Sequence, residues 1–255
     1  MTAALKRETP DFRQTVASVA DWAATATPEQ ILGWALERFA PRMSVSCSFG
    51  NPEGLVLIDM LHRIAPAGGF RVYTLDTGRL PQATYDLIDR VRDRYAVEIE
   101  VVFPDAGAVQ AMVREHGMNL FYESLEKRQL CCRLRKVEPS RRYLAEIDAH
   151  VTGLRRQQSV TRAEVARVEL EGGGKRVKVN PLVDWTSADV WAYVRKNGVP
   201  VNRLHAEGFS SVGCAPCTRA VRAGEDVRAG RWWWEQADTK ECGMHTQVEE
   251  GGSGI

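Results

Sequence analysis

Six cysteines stand in this 255-residue chain, and four of them form two pairs: the neighbours Cys131 and Cys132, and Cys214 and Cys217 in Cys214-Ala215-Pro216-Cys217. Thiolates hold soft metals and iron–sulfur clusters, and four of them arriving from two segments make a closed site. Structural zinc is the competing reading, because a Cys-x-x-Cys pair with a second pair elsewhere is also its pattern. Adjacency separates the two. Structural zinc spaces its paired ligands by two to four residues, and neighbouring side chains on a helix diverge by about 100°. Two such neighbours reach a bulky multi-iron group more easily than one small ion. Disulfides are disfavoured, since nothing at the N-terminus reads as a secretory signal and compartments reached without one are usually reducing. Cys242, in Glu241-Cys242-Gly243-Met244-His245, stands apart as the candidate for chemistry, and Cys47 reads as a small core residue inside an expected strand.

A chain of this length supports a substantial core, and 44% hydrophobic with 26% charged residues describes an ordinary soluble protein. No apolar run approaches the roughly 20 residues that cross a bilayer, so a cytoplasmic, membrane-free protein is expected. The net charge of +1 argues against broad nucleic-acid binding. That charge is unevenly spread: from Cys131 to Arg162 there are eight Lys and Arg residues against three acidic ones. Such a patch suits a small anion.

These residues need a scaffold. Thr27-Pro28-Glu29-Gln30 looks like a helix start, followed by Ile31, Leu32, Ala35, Leu36 and Phe39 at helical spacing. Residues 42–49 read as a strand, 50–54 as a small polar turn and 55–64 as a helix, the arrangement in which free backbone N–H groups meet a phosphate. The pattern repeats with a strand over 70–75, the turn Asp76-Thr77-Gly78, a helix over 81–95 and a third strand over 97–103. Helical segments fill 106–147, and a strand at 150–152 ends at Gly153, before the basic turn Leu154-Arg155-Arg156-Gln157-Gln158-Ser159. Alternation of this kind predicts an α/β fold, a mainly parallel sheet with helices on both faces. Ligands of such sheets bind beyond the carboxyl ends of the strands, where Ser48, Asp76 and Gly153 would lie. Gly172-Gly173-Gly174 is expected to turn a short surface hairpin between 165–170 and 176–179, and a helix capped by Thr186 or Ser187 reaches about Lys196. After Pro200 periodicity is lost. The divisions expected are an N-terminal helical segment (1–40), a nucleotide-binding α/β domain (41–200) and an irregular C-terminal segment with thiol ligands and Cys242 (201–255).

Several separated motifs resemble one family. Leu75-Asp76-Thr77-Gly78, Thr152-Gly153-Leu154-Arg155-Arg156-Gln157-Gln158-Ser159, Cys131-Cys132, Gly213-Cys214-Ala215-Pro216-Cys217-Thr218, Gly230-Arg231-Trp232-Trp233-Trp234-Glu235 and Glu241-Cys242-Gly243-Met244-His245 together are similar to the assimilatory sulfonucleotide reductases. Members that reduce adenosine 5′-phosphosulfate (APS) generally carry both cysteine pairs as ligands of a 4Fe-4S cluster. Those reducing the 3′-phosphorylated form (PAPS) generally lack them. All four ligands are present, so the resemblance implies APS as substrate and one 4Fe-4S cluster per subunit on Cys131, Cys132, Cys214 and Cys217. PAPS reduction, dual specificity and a non-redox nucleotide-binding protein with structural zinc are the alternatives.

The resemblance further implies an adenine-nucleotide alpha-hydrolase-like fold, a thioredoxin or glutaredoxin-like electron donor, and a role in sulfate assimilation and cysteine biosynthesis. It leaves a homo-oligomer open. Cys242 becomes the catalytic nucleophile, with His245 nearby. Arg162, Arg228 and Arg231 become phosphosulfate contacts, with Lys136 linking the cluster region to the same anion. Ser48, Thr74, Leu75 and Gly153 would lie along the adenosine. The loop Phe49-Gly50-Asn51-Pro52-Glu53-Gly54 departs from the Ser-Gly-Ala-Glu-Asp-like residues common in the family, so Ser48 is the better anchor. Trp232, Trp233 and Trp234 read as packing that anchors the C-terminal segment, because three consecutive tryptophans cannot all face one ligand.

Overall fold

The computed structural model describes residues 11–158 and 162–235. Helix α1 (Phe12–Thr25) begins at Asp11, whose side chain accepts from the Gln14 N–H, and α2 (Pro28–Phe39) begins at a full capping box between Thr27 and Gln30. Ile31, Leu32, Ala35 and Phe39 are all buried, as their spacing requires. These two helices share their core with the sheet that follows.

Six strands form one sheet: β1 (Met43–Ser46), β2 (Arg71–Leu75), β3 (Ile99–Val102), β4 (Ala149–Val151), β5 (Val168–Glu171) and β6 (Arg176–Val179), in the order β3-β2-β1-β4-β6-β5. Every neighbouring pair is parallel except β5 and β6. Helices α3 (Pro52–Ile64), α4 (Gln82–Tyr95), α5 (Ala106–His116), α6 (Leu125–Cys132), α7 (Glu138–Leu144) and α8 (Ser187–Asn197) make up the rest of the regular structure. The chain builds outward from β1 through β2 to β3, then returns to lay β4 on the free edge of β1. That reversal opens a crevice at the carboxyl ends of β1 and β4, the place where open α/β sheets bind ligands.

Alternate residues serve different faces. Val45, Val72, Val151 and Val179 join one core with α1, α2, α3, α4 and α8. The intervening Ser44 and Tyr73 meet α7: the Tyr73 ring stacks on Tyr143 at 4.3 Å, and Ser44 Oγ lies 3.0 Å from the Tyr143 hydroxyl. Helices therefore cover both faces, but the second cover is polar. His150 Nδ1 sits 3.0 Å from Glu171 and its Nε2 3.3 Å from the Tyr73 hydroxyl.

The expected surface hairpin is a correction. β6 pairs with β4 inside the main sheet, and Val177 and Val179 are fully buried. Each such valine contributes about 1.5–3 kcal/mol by leaving water. Arg176 and Lys178 between them made the segment look exposed, yet they find partners in Glu171 and Glu169. Boundaries also shift. β1 stops at Ser46 and Phe49 turns the chain at φ 53°, while α3 begins three residues earlier than expected, with Pro52 in its first turn.

Residues 201–235 contain no α-helix or named strand, only single 3-10 turns such as Arg203–His205 and Ala215–Cys217. They pack as a second apolar cluster, Cys214, Cys217 and Trp232 against Met112, Leu120 and Phe121. No described helix is long and apolar enough to cross a membrane.

Candidate functional site

Helix α6 starts at Ser124, whose hydroxyl caps the Lys127 N–H, and ends on Cys132, where the chain widens into a π-helical turn, Arg133–Val137. Wide turns of this kind are rare and redirect the side chains that follow. From the other side, the Ala215–Cys217 turn closes with the Cys217 N–H on the Cys214 carbonyl at 3.0 Å. Two more bonds fix that turn: Ala215 N–H donates to the Arg79 carbonyl at 2.8 Å, and the Tyr122 hydroxyl to the Pro216 carbonyl at 2.8 Å. As a result Cys131, Cys132, Cys214 and Cys217 line one cavity, together with Arg128, Arg135, Lys136 and Trp232.

The thiols differ electrostatically. Burial pushes Cys217 up to about 12, helped by neighbouring Cys214, and burial also raises Cys131 against the pull of Arg135. Cys214 goes the other way. Its burial is outweighed by Lys136, the Thr77 hydroxyl at 3.2 Å and Arg231, which bring it below its ordinary value. Four soft donors share a space where a bare thiolate is costly at two of them, and a bound metal group would supply the missing positive charge. Among the described residues no three His, Cys, Asp or Glu side chains converge as ligands of a single ion do.

Basic residues gather in two places. Lys136 and Arg231 act on Cys214, and Arg231 also donates to Ser211 Oγ at 3.1 Å. Gly213 is what lets Arg231 lie there, since a Cβ on it would stand 2.5 Å from the guanidinium. Arg162 and Arg228 instead meet at Gln158: the first donates to its side-chain carbonyl, the second to its backbone carbonyl at 3.4 Å. Gln158 in turn donates to Glu53 at 2.9 Å. Arg155, also in the basic turn, is 7% exposed and grips the same Glu53 oxygen at 2.8 and 2.9 Å, so it braces the turn from within. Arg156 is held outside by Asp184 and the Val165 carbonyl.

The strand-end residues sit around the crevice. Ser48 is exposed just past β1, and its Oγ accepts from the Gly50 N–H at 3.4 Å. Leu75 is the last residue of β2, and the hydroxyl of Thr74 beside it is buried without a partner. Gly153 follows β4 so closely against α3 that a Cβ would lie 2.5 Å from that of Glu53. The loop into α3 is roofed by the distant chain: a Cβ on Gly50 would stand 2.2 Å from the Val212 carbonyl oxygen, and the Val212 N–H donates to Asn51 at 3.3 Å. Cys47 is buried beneath, its thiol pushed up to about 12 mainly by burial.

The three tryptophans separate as their crowding demands. Trp232 is 2% exposed, with the Arg128 and Arg231 guanidiniums 4.6 and 4.8 Å from its ring centroid, while Trp233 is exposed and Trp234 packs on Tyr122. Cys242, His245 and Ser159 lie outside the described residues. Spacing alone did not single out Thr77, Gln158, Glu53, Arg128 or Glu235. Thr77, Gln158 and Glu235 lay inside motifs already quoted and Glu53 in the loop before α3, but the pairing of Arg128 with Glu235, 107 residues apart, left no local signal.

Comparison with known proteins shows which family the chain resembles. Residues 42–220 match the model of the phosphoadenosine phosphosulfate reductase domain. A Burkholderia cepacia protein named adenosine 5′-phosphosulfate reductase is 52% identical over 204 residues, covering 80% of each chain. One of the same name from Allochromatium vinosum is 50% identical over 193 residues, covering 76% of this chain and 75% of its own. Among solved structures, a phosphoadenylyl-sulfate (PAPS) reductase from Candida auris, in a phosphate complex, superposes with a TM-score of 0.67 at 28% identity, covering 82% of this chain and 97% of that one.

Proposed function

This chain belongs to the phosphoadenosine phosphosulfate reductase domain family and is an oxidoreductase, and from that premise we propose that it reduces APS to sulfite and AMP in sulfate assimilation, taking two electrons from thioredoxin or a glutaredoxin-like dithiol. The observation that carries the choice of APS is the single cavity lined by both cysteine pairs beside Lys136, in a chain half identical to enzymes named for APS. Cys131, Cys132, Cys214 and Cys217 would hold a 4Fe-4S cluster, which when bound orders and polarises the adjoining pocket.

The chemistry falls to the protein's own groups. A free thiol near pKa 8.5 is only a few per cent thiolate at neutral pH, so cationic neighbours must activate Cys242. Its thiolate attacks the sulfate sulfur; the bond from that sulfur to the bridging oxygen breaks, and AMP leaves with the electron pair. The product is S-sulfocysteine. A donor thiolate then attacks the Cys242 sulfur, sulfite departs with the pair of the S–S bond, and the donor's second thiol closes its disulfide and frees Cys242.

Arg162, Arg228, Arg231 and Lys136 neutralise the phosphosulfate, arginine being suited by its paired donors and permanent charge. Ser48, Thr74, Leu75 and Gly153 receive the adenosine at the crevice, and His245 lies three residues from the nucleophile. A PAPS substrate is the second reading, favoured by the likeness to the Candida auris enzyme. Protein purified without oxygen is assayed for sulfite release from APS and PAPS in parallel, with iron and acid-labile sulfide measured on the same sample. Release from APS by brown, iron-loaded protein is expected. Colourless protein without sulfide, or release from PAPS alone, would overturn the reading.

A further inference from the structure

We infer that Arg128 and Glu235 form a positioning pair that ties the cysteine cavity to the segment leading to Cys242, an inference that rests on the function proposed above. Arg128 lies on α6, three residues before Cys131, with its side chain 1% exposed. Its Nε and Nη2 donate to the two carboxylate oxygens of Glu235 at 2.8 and 3.0 Å, and the Glu235 side chain is 7% exposed. The same guanidinium hydrogen-bonds Cys132 and stands 4.6 Å from the Trp232 ring centroid. A buried ion pair contributes little net stability compared with an apolar replacement, so its retention beside four thiols points to placement.

The backbone between the anchors is tightly held. Trp232 adopts φ 41°, an unusual conformation for a bulky residue, with its N–H on the Cys217 carbonyl at 3.2 Å; the Glu235 N–H returns to the Trp232 carbonyl at 2.8 Å. The turn is thus pinned at Cys217 on one side and at Arg128 on the other. Cys242 is seven residues beyond Glu235, a tether of about 25 Å at full stretch. With the pair broken, the last fixed point retreats to Trp232 or to Arg231, ten and eleven residues back, Arg231 being still held by its bridge to Thr218 and its bond to Ser211. The full-stretch reach lengthens in proportion, so the volume within reach of the thiol grows about three- to fourfold.

Glu235→Gln and Arg128→Lys each remove the paired charge or its fork. In single turnover with APS, followed by mass spectrometry, both are expected to form S-sulfocysteine about three- to fourfold more slowly, with AMP affinity within about twofold and iron content unchanged. The double variant should be no slower than the worse single, as members of one unit are not additive. Where Glu235→Gln fails to fold, Glu235→Asp is read in the same way. An adduct rate equal to that of the unsubstituted protein, or iron and AMP binding lost in step with the rate, overturns the pair. Absence of any adduct in the unsubstituted protein would instead count against the proposed function. Amide hydrogen exchange over residues 232–235 reads the pair without turnover: it should quicken in Glu235→Gln, and unchanged exchange also overturns it.

Discussion

Replacing Glu53 tests whether the anion side of the site is held together from inside. One Glu53 oxygen accepts three donors: Nε and Nη2 of Arg155 and the Gln158 amide. The carboxylate is 8% and the Arg155 side chain 9% exposed, so truncation to alanine leaves a buried guanidinium without its counter-charge. Such breaks cost about 3–5 kcal/mol. Arg155 would still donate to Gln157 and to the Trp185 carbonyl at 3.2 and 3.3 Å, which sets the loss for Glu53→Ala near the lower end, about 3 kcal/mol. Glu53→Gln keeps a carbonyl oxygen for those donors but still removes the counter-charge, so it recovers only part of the loss and costs about 2 kcal/mol. In a chain of this size each kcal/mol moves Tm by about 2–4 °C, predicting falls of about 6–12 °C and 4–8 °C. Because Gln158 carries Arg162 and Arg228, Glu53→Ala should also raise KM for the phosphosulfate substrate by about tenfold, equivalent to 1.4 kcal/mol. Thermal unfolding by circular dichroism at pH 7 and steady-state kinetics give both numbers. Equal Tm losses for the two variants, or an alanine variant within 2 °C of the unsubstituted protein, would refute the bracing role.

Cys242→Ser is expected to bind AMP and APS within about threefold of the unsubstituted protein while sulfite release drops below detection; measurable turnover by that variant would remove Cys242 from the mechanism. Glu171 is part-buried, which alone would raise its pKa, but the hydrogen bond from His150, with the charges of His150, Lys178 and Arg176, holds it at about 2 against an ordinary 4.5. A lowered carboxyl stabilises the fold above pH 4.5, and that contribution drains away as pH falls toward 2. Glu171→Gln should therefore cost about 1–3 kcal/mol at pH 7 and flatten the acid limb between those values; an unaltered profile of urea midpoint against pH would contradict this.

Residue types foretold the scaffold wherever local physics decides the outcome. The capping boxes at Thr27 and Thr186 were readable because a side chain and its backbone partner lie three residues apart. Likewise β1, β2 and β4 end near the turns that were expected to meet at one edge of the sheet. The β5–β6 hairpin was misplaced because Arg176-Val177-Lys178-Val179 alternates like a half-exposed strand, and only tertiary pairing shows the charges matched on a polar sheet face. Both cysteine pairs were legible as potential ligands, but their cavity depends on the π-helical turn after Cys132, for which residues 133–137 give no pattern. Gln158, flanked by arginines in a basic turn, serves as the hub that joins Arg162, Arg228 and Glu53. Such roles arise from packing of segments far apart in the chain, where neither period nor composition leaves a trace.

The roof over the loop before α3 has a consequence for biosynthesis. Asn202 donates to the Phe49 carbonyl across 153 positions of chain, and Val212 to Asn51 across 161. At about 5–20 residues per second of translation, the ribosome delivers the covering segment roughly 8–32 s after the loop itself. A nascent chain arrested near residue 200 would therefore hold β1 to β4 with the crevice at their carboxyl ends still open above Gly50. That crevice is roofed only as the last fifth of the polypeptide emerges, so the same stretch that brings Cys214 and Cys217 also covers the loop before α3.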